Sequence, residues 1–261
     1  MQVRGLLNVY KQASPETGVQ PNFVSETGAH LPYPLWDSVL WPSVECLTGA
    51  SSHKLVYLVT DKREQQHLFK FTRQYGVATH KVWAAYGVAP DLLAEPICLP
   101  GPWWQIQMEY LPDTKGWLPM IWLMQDEAGQ ARYVKNSSHI LSSKLRPQLK
   151  QEAKQLLIKA HQAKVDGQPA AHGDARPENF MVHMHIGNIV AMKLVDLDWA
   201  GPVTSVRYPI LLNTQAILWP KGVDAGQPIK QEHDLQLLDL QTDTATIGGF
   251  YRWNNLPAGQ S

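Results

Sequence analysis

The stretch from Ala171 to Gly201 constrains the fold most, because it places an acidic cluster at each end of a predicted β-hairpin. The first cluster, 172–174, reads His-Gly-Asp, and an asparagine, Asn179, follows five positions after its aspartate. The second cluster, 196–198, reads Asp-Leu-Asp. Apolar side chains alternate along the segments between the clusters, and a Gly187-Asn188 turn interrupts them, which is typical of two paired strands.

A hairpin of this length folds back on itself, so we expect Asn179 and Asp196 to lie close together. Carboxylate and amide oxygens are the ligands that a hard cation such as Mg²⁺ prefers when it binds together with phosphate groups. The alternative is an ordinary hairpin whose acidic residues only cap its ends. That alternative does not account for the order in which the spaced elements occur.

The same residues resemble the catalytic and metal-binding loops of protein kinase-like phosphotransferases. Those enzymes carry H-R-D-x-x-x-x-N and then D-F-G. Here His172, Asp174 and Asn179 match the first motif in type and spacing, and Asp196 falls where the metal-binding aspartate is expected. Gly173 in place of the arginine, and Asp-Leu-Asp in place of D-F-G, look more like aminoglycoside and choline kinases. The later Tyr-Pro, Trp-Pro and His-Asp series is similar to that of fungal protein kinase-like proteins.

The resemblance implies an α+β fold of the two-lobed protein kinase-like kind, with a small β-rich N-lobe and a compact, shortened helical C-lobe. The 261 residues are long enough for one such domain. We assign 1–44 to an N-terminal extension, 45–110 to the N-lobe and 111–261 to the C-lobe. The extension is rich in Pro, Gly and Ser, and its Trp36 and Trp41 could dock it on the folded body.

The N-lobe has predicted strands at 54–60 and 67–71 and a predicted helix at 77–86. Lys70 lies between two phenylalanines of the second strand, and a lysine at such a position is also a common feature of a sheet edge. In the kinase resemblance, Lys70 is the strand lysine that holds the α- and β-phosphates of ATP. Gly49 stands at the place of the glycine-rich loop, with one glycine where the family has three.

The predicted helix of the N-lobe matches the kinase αC helix, which normally contributes a glutamate that pairs with the strand lysine. No Glu or Asp occurs between Phe71 and Ala89, which is the largest departure from the family pattern. A predicted hairpin at 96–110 follows. The family's hinge lies at its end, so Glu109 and Leu111 are implied to contribute backbone groups that bind ATP at the adenine edge.

The C-lobe has a strongly amphipathic predicted helix at 143–164 and a second predicted helix at 229–240. The segment 121–134 is interpreted as a hairpin. The resemblance implies that His172 and Asp234 support the catalytic loop, with Asp234 accepting backbone N–H bonds. A solvated acid on a surface helix is the alternative reading of Asp234.

The resemblance also implies the chemistry. Asp174 accepts or orients the proton of an acceptor hydroxyl, and Arg176 neutralises charge on the moving phosphoryl group. Asn179 and Asp196 hold Mg²⁺, with Asp198 as a further ligand. The expected activity is ATP- and Mg²⁺-dependent phosphoryl transfer to a protein Ser/Thr or to a small molecule. The competing hypothesis is a pseudokinase that binds a nucleotide or a partner protein without turnover.

Composition excludes several other classes. A formal net charge of zero argues against a nucleic-acid or anionic-membrane surface. Cys46 and Cys98 have no metal or redox spacing, the start lacks a signal-peptide core, and no apolar run approaches a membrane span. We therefore expect a cytoplasmic or otherwise intracellular protein. His183 and His185 alternate on a predicted strand, where exposed polar residues are common, so we assign them no metal.

Overall fold

The structure is a computed structural model, and it describes residues 40–47, 55–99, 101 and 103–246. These residues combine β-sheets with helices, which confirms the α+β class. No helix in this described part is long and apolar enough to cross a membrane. The chain divides into two compact units: Met1–Arg73 with Leu93–Tyr110, and Gln74–Leu92 with Leu111–Ser261.

The first unit contains a five-stranded antiparallel sheet in the order β1-β2-β3-β5-β4. The strands are β1 (Ser43–Cys46), β2 (Leu55–Thr60), β3 (Gln66–Thr72), β4 (Ile97–Leu99) and β5 (Trp103–Glu109). Phe69 and Phe71 of β3 are buried in one core with Trp103, as the two-residue period of a strand requires. Trp41 of the predicted extension joins this core, with its ring 5.3 Å from that of Phe69. Trp36 lies outside the described residues.

The second unit contains five described helices and two small sheets. The helices are α1 (Val77–Ala85), α2 (Met120–Leu123), α3 (Glu127–Gln130), α4 (Arg146–Gln162) and α5 (Gln231–Thr246). The strands are β6 (Trp117–Pro119), β7 (Ala170–Ala171), β8 (Phe180–His185), β9 (Asn188–Leu194) and β10 (Gly201–Pro202). Strands β6, β8 and β9 form one antiparallel sheet, and β7 pairs with β10.

Helix α4 leads into the first acidic cluster, and it forms because its apolar residues share one face. Leu149, Ala153, Leu157 and Ala160 are buried on that face. Pro147 lies in the first turn, where the missing N–H costs no helical hydrogen bond. The sequence predicted this helix from residue 143, but residues 143–145 form a 3₁₀ turn before it.

The hairpin interpretation of 121–134 is wrong, because this segment forms the short helices α2 and α3. The Asp126 carboxylate accepts the N–H of Gly129 at 2.6 Å and so caps the first turn of α3. The buried Gln130 side chain then exchanges two hydrogen bonds with the backbone of Leu141, at 2.8 and 2.9 Å. These tertiary bonds stabilise a helical turn that the sequence pattern does not reveal.

Strands β8 and β9 form the predicted hairpin, with Phe180 paired to Leu194. The turn residues are Ile186 and Gly187, one position earlier than expected, and their φ angles are +48° and +71°. Two positive φ angles in succession are typical of a turn whose twist matches that of the flanking strands. The hairpin therefore returns the chain to the level of Asn179.

The segment Gln74–Leu92 differs from the sequence assignment, which placed it in the N-lobe. Its contacts group it with the second unit. Gly76 donates its N–H to the Leu197 carbonyl at 3.0 Å, and Leu194 donates its N–H to the Val88 carbonyl at 2.7 Å. Helix α1 is therefore joined to the second acidic cluster through the backbone.

Candidate functional site

The loop from His172 to Asn179 is built around the Asp174 carboxylate. Arg176 donates from Nε to Asp174 Oδ1 at 2.6 Å and from Nη2 to Oδ2 at 2.9 Å. Such a two-point ion pair fixes both the position and the plane of the carboxylate. Asp174 itself is largely buried, with 8% of its surface exposed. The pair thus holds an oriented acid at a partly dry position.

Asn179 completes this loop. Its Nδ2 group donates both to the Asp174 carbonyl at 2.8 Å and to Asp174 Oδ2 at 2.9 Å. The amide is therefore oriented by its nitrogen, and its Oδ1 oxygen is the atom that a cation would bind. The Asn179 carbonyl accepts the N–H of Val195 at 2.9 Å, so the loop is joined to the end of β9, next to Asp196. The backbone therefore brings the ends of the two clusters close together.

His172 has a defined tautomer within the site. Its Nε2 lies 2.9 Å from the Val195 carbonyl, which can only accept, so Nε2 carries the proton. Its Nδ1 then accepts the N–H of Asp174 at 3.2 Å. The ring is fully buried and stacks on Trp83 of α1, with centroids 6.2 Å apart. His172 connects the first cluster to both β9 and α1.

Asp234 on α5 holds the loop from behind, in the arrangement expected from the resemblance. Its carboxylate accepts the N–H of His172 at 2.8 Å and the N–H of Gly173 at 2.8 Å. A third contact comes from His161 Nε2 at 2.9 Å. Asp234 is 1% exposed, which excludes the alternative reading of a solvated surface acid.

Gly173 is required at its position for two reasons. Its φ angle is +83°, a region that side chains other than glycine rarely adopt. A Cβ there would also lie 2.8 Å from Ile229 Cδ1 and 3.2 Å from Trp199 Cβ. A larger residue there would have to adopt this strained backbone conformation and move the end of the Ile229 side chain.

The second cluster follows β9 in a strained turn. Asp196 has a φ angle of +61°, which is uncommon for a residue with a side chain and is often found where function fixes the backbone. Burial raises the pKa of the Tyr75 phenol well above its usual value, and the nearby charges of Asp198 and Asp196 raise it further. The Tyr75 hydroxyl is therefore neutral and lies near both acids.

Asn179, Asp196 and Asp198 are the residues of these loops that could hold a cation. Among the described residues, no three His, Cys, Asp or Glu side chains gather as metal ligands. Mg²⁺ usually takes one or two carboxylates and completes its shell with water and phosphate oxygens. Asn179 Oδ1 with the carboxylates of Asp196 and Asp198 would hold it in that manner.

The remaining predicted site residues are assigned to their units as follows. Lys70 is buried in β3, where its backbone pairs with Val56 and Ile106, and Glu109 ends β5; both belong to the first unit. Leu111 is buried in the second unit. Gly49 lies outside the described residues.

Sequence reasoning missed His161 and the pair of Tyr75 and His80. The Tyr75 hydroxyl donates to His80 Nδ1 at 2.8 Å, because His80 Nε2 donates to the Pro90 carbonyl at 2.8 Å. No motif marks these residues, since their roles depend only on which distant segments they meet.

Tyr208 and His233 form a buried pair beside Asp234, with Oη and Nδ1 3.1 Å apart. Burial raises the pKa of Tyr208, and the charges of Asp234 and Asp174 raise it further. Burial lowers the pKa of His233, and Lys230 lowers it further, against the opposite effects of Glu232 and Asp234. Both side chains are neutral at pH 7.

Comparison of the chain with family models found no match. Comparison with curated proteins found no match either.

Proposed function

We propose that the protein is an ATP- and Mg²⁺-dependent phosphotransferase that transfers the γ-phosphoryl group to a hydroxyl acceptor. One observation carries the proposal. Asp174, Asn179 and the turn at 196–198 share one hydrogen-bonded frame, and the buried Asp234 holds that frame through two backbone N–H groups. An oriented carboxylate next to hard oxygen ligands is what phosphoryl transfer to an alcohol requires.

In this proposal Asp174 accepts the proton of the acceptor hydroxyl. Its Oδ1 accepts the Nε–H of Arg176, and a carboxylate oxygen can accept more than one hydrogen bond. An acceptor hydroxyl can therefore donate to Oδ1 while the carboxylate keeps its orientation. Proton acceptance by a positioned carboxylate of this kind contributes roughly 10²–10⁴-fold to a rate.

Arg176 has two roles in the proposal. It orients Asp174 in the ground state, and its guanidinium offers positive charge near the transferred phosphoryl group. Asn179 Oδ1, Asp196 and Asp198 hold Mg²⁺, which supplies charge that offsets the negative phosphate oxygens. Lys70 as the phosphate lysine stays a prediction from the sequence.

A pseudokinase is the second candidate, and a specific observation favours it. Between Phe71 and Ala89 the sequence has no Glu or Asp, whereas kinases have there the glutamate that pairs with the strand lysine. A protein that binds nucleotide or a partner without turnover would need no such pair. The intact set of Asp174, Asn179 and Asp196 favours the enzyme.

The test is ATP consumption against a panel of protein and small-molecule acceptors, with Asp174→Asn as the inactive control. We expect Mg²⁺-dependent turnover with one acceptor class and its loss in the variant. Equal ATP consumption by both proteins, or none with any acceptor, would contradict the proposed enzyme. Nucleotide binding without turnover would select the pseudokinase.

A further inference from the structure

Both acidic clusters contact one short segment, residues 75–88. The N–H of Gly76 donates to the carbonyl of Leu197, the residue between the two aspartates of the second cluster, at 3.0 Å. The far end of the segment is fixed where Leu194 donates to the Val88 carbonyl at 2.7 Å. Between these points, Trp83 stacks on His172 of the first cluster.

Gly76 lies in a tight turn at this contact. Its φ and ψ angles are −78° and 64°, and Val77 donates its N–H to the Tyr75 carbonyl at 3.0 Å, which defines an inverse γ-turn. Residues with side chains also adopt this conformation, so backbone freedom does not explain the glycine. Space explains it instead.

A Cβ at Gly76 would overlap the carbonyl oxygen of Ala200. It would also lie 2.9 Å from the Ala200 carbonyl carbon and 3.2 Å from the Leu197 oxygen. These are backbone atoms, which cannot rotate away as the end of a side chain can. Any side chain at Gly76 must therefore displace the turn that carries Asp196 and Asp198.

The position of Gly76 is itself fixed from the other side. The Tyr75 hydroxyl bonds to the buried His80, and His80 bonds to the Pro90 carbonyl. The segment is therefore held at its start, its middle and its end, and it cannot readily withdraw to make room.

We propose that Gly76 is a positioning residue, which sets the geometry of the Asp196-Leu197-Asp198 turn by allowing helix α1 to approach its backbone. This inference rests on the proposed function, in which Asp196 and Asp198 bind Mg²⁺. Helix α1 then acts on the metal-binding turn through a fixed backbone contact. This positioning does not require a carboxylate on helix α1.

A contact that only stabilised the fold would have a different effect from one that positions metal ligands. Loss of fold stability reduces the fraction of protein able to bind, so ATP with Mg²⁺, ATP without Mg²⁺ and adenosine would all be affected equally. Displaced ligands reduce only the gain in ATP affinity that Mg²⁺ brings. The ratio of the two ATP affinities therefore separates the two roles.

The experiment compares Gly76→Ala with the parent and with Ala78→Ser, which also adds one heavy atom but at an exposed position of the same helix. Titration calorimetry measures ATP with and without Mg²⁺, and adenosine as the probe without phosphate. We expect Gly76→Ala to reduce the Mg²⁺-dependent gain about tenfold or more, as for groups that orient metal ligands. Adenosine affinity should be unchanged, and Ala78→Ser should match the parent.

Hydrogen exchange of residues 194–200, without ligand, provides a readout that does not depend on the proposed function. Exchange should be faster in Gly76→Ala than in either control protein. If the parent gains ATP affinity from Mg²⁺ and Gly76→Ala gains as much, the positioning role is refuted while the function stands. If the parent shows no gain, the proposed function fails, and unchanged exchange would then refute the positioning role as well.

A milder variant covers the case in which Gly76→Ala does not fold. Tyr75→Phe removes only the hydroxyl that holds this segment through His80. It should lower the Mg²⁺-dependent gain in the same direction by a smaller factor. A gain equal to that of the parent in this folded variant would also refute the positioning role.

Discussion

The carboxylate of Asp234 accepts the backbone N–H of Gly173 at 2.8 Å, although 61 positions separate the two residues in the chain. A second oxygen of the same group accepts the N–H of His172. The first cluster therefore depends on a helix that is remote in sequence. Loss of Asp234 should therefore lower both the stability and the activity of the protein.

Asp234→Asn should destabilise the protein by about 2–4 kcal/mol, because an amide nitrogen would face backbone N–H donors in a buried site. Turnover should fall with it. Urea unfolding measures the first effect. Asp239→Asn on the same helix is the control, since its bonds to Lys150 and Lys154 are at the surface and are worth under about 1 kcal/mol. Similar losses in both variants would count against the anchoring role.

Asp174→Asn should reduce turnover by at least about a hundredfold, the lower end for a positioned proton acceptor. ATP affinity should stay nearly unchanged, because Asp174 is assigned to the acceptor. Steady-state rates and calorimetry measure the two quantities. Asp166→Asn is a matched control, since Asp166 is exposed and its φ of +51° suits asparagine. Full activity in Asp174→Asn would remove the residue from its role.

Asp196→Ala should abolish the rise in ATP affinity on adding Mg²⁺. The reason is that the carboxylate proposed to bind the ion alongside the phosphates is lost. Titration calorimetry with and without Mg²⁺ measures the rise. Adenosine is the control ligand, and its affinity should respond much less to the metal. ATP binding by the parent that ignores Mg²⁺ would favour the pseudokinase.

Phosphorylation between Trp199 and Trp219 should not activate the protein. Regulated kinases pair the phosphate with an arginine that precedes the catalytic aspartate. That position is Gly173 here, which has no side chain to pair with a phosphate, and its φ of +83° disfavours other residues. Rates measured with phosphate on Thr204 or Ser205 should equal those of the unmodified protein. A large increase at either site would overturn this expectation.

Acidification should destabilise the protein through His233. Burial, reinforced by Lys230, lowers the pKa of His233 from 6.5, so the unfolded state takes up the proton first as the pH falls. The contribution of neutral His233 to the free energy of unfolding is therefore fully present above pH 6.5. It is lost progressively as the pH falls from 6.5 toward the folded-state pKa. Urea midpoints at several pH values should show a smaller acid loss in His233→Gln than in the parent. His185→Gln, at an exposed position, should keep the parent's profile.

Strand alternation was sufficient to predict the hairpin of β8 and β9, because this pattern does not depend on distant residues. The place of Asp234 behind the loop was implied only by the family resemblance, since its partners lie more than 60 positions away. Helix α3 is stabilised by the bonds between Gln130 and Leu141, and the apolar pattern of its segment does not reveal them. A short apolar segment can become a strand or a helical turn, and only its tertiary partner decides.

The site residues also divide into those with a local sequence signal and those that depend on distant partners. Asp174 and Asn179 were found because their spacing is fixed by a single loop. The contacts of Gly76 with Leu197 and Ala200 join segments about 120 positions apart, so no local sequence pattern predicts them. The third donor to Asp234, from His161, was missed for the same reason.

The path of the chain between the two units limits how the gene can be divided. Gln74–Leu92 belongs to the second unit but lies in sequence between the two segments of the first. A single cut of the chain at any junction would therefore leave at least one of the two units incomplete. A product starting at Leu111, for example, would keep His172 but lose Trp83, and it would keep Leu197 but lose Gly76. No single crossover can therefore separate the two units with both intact.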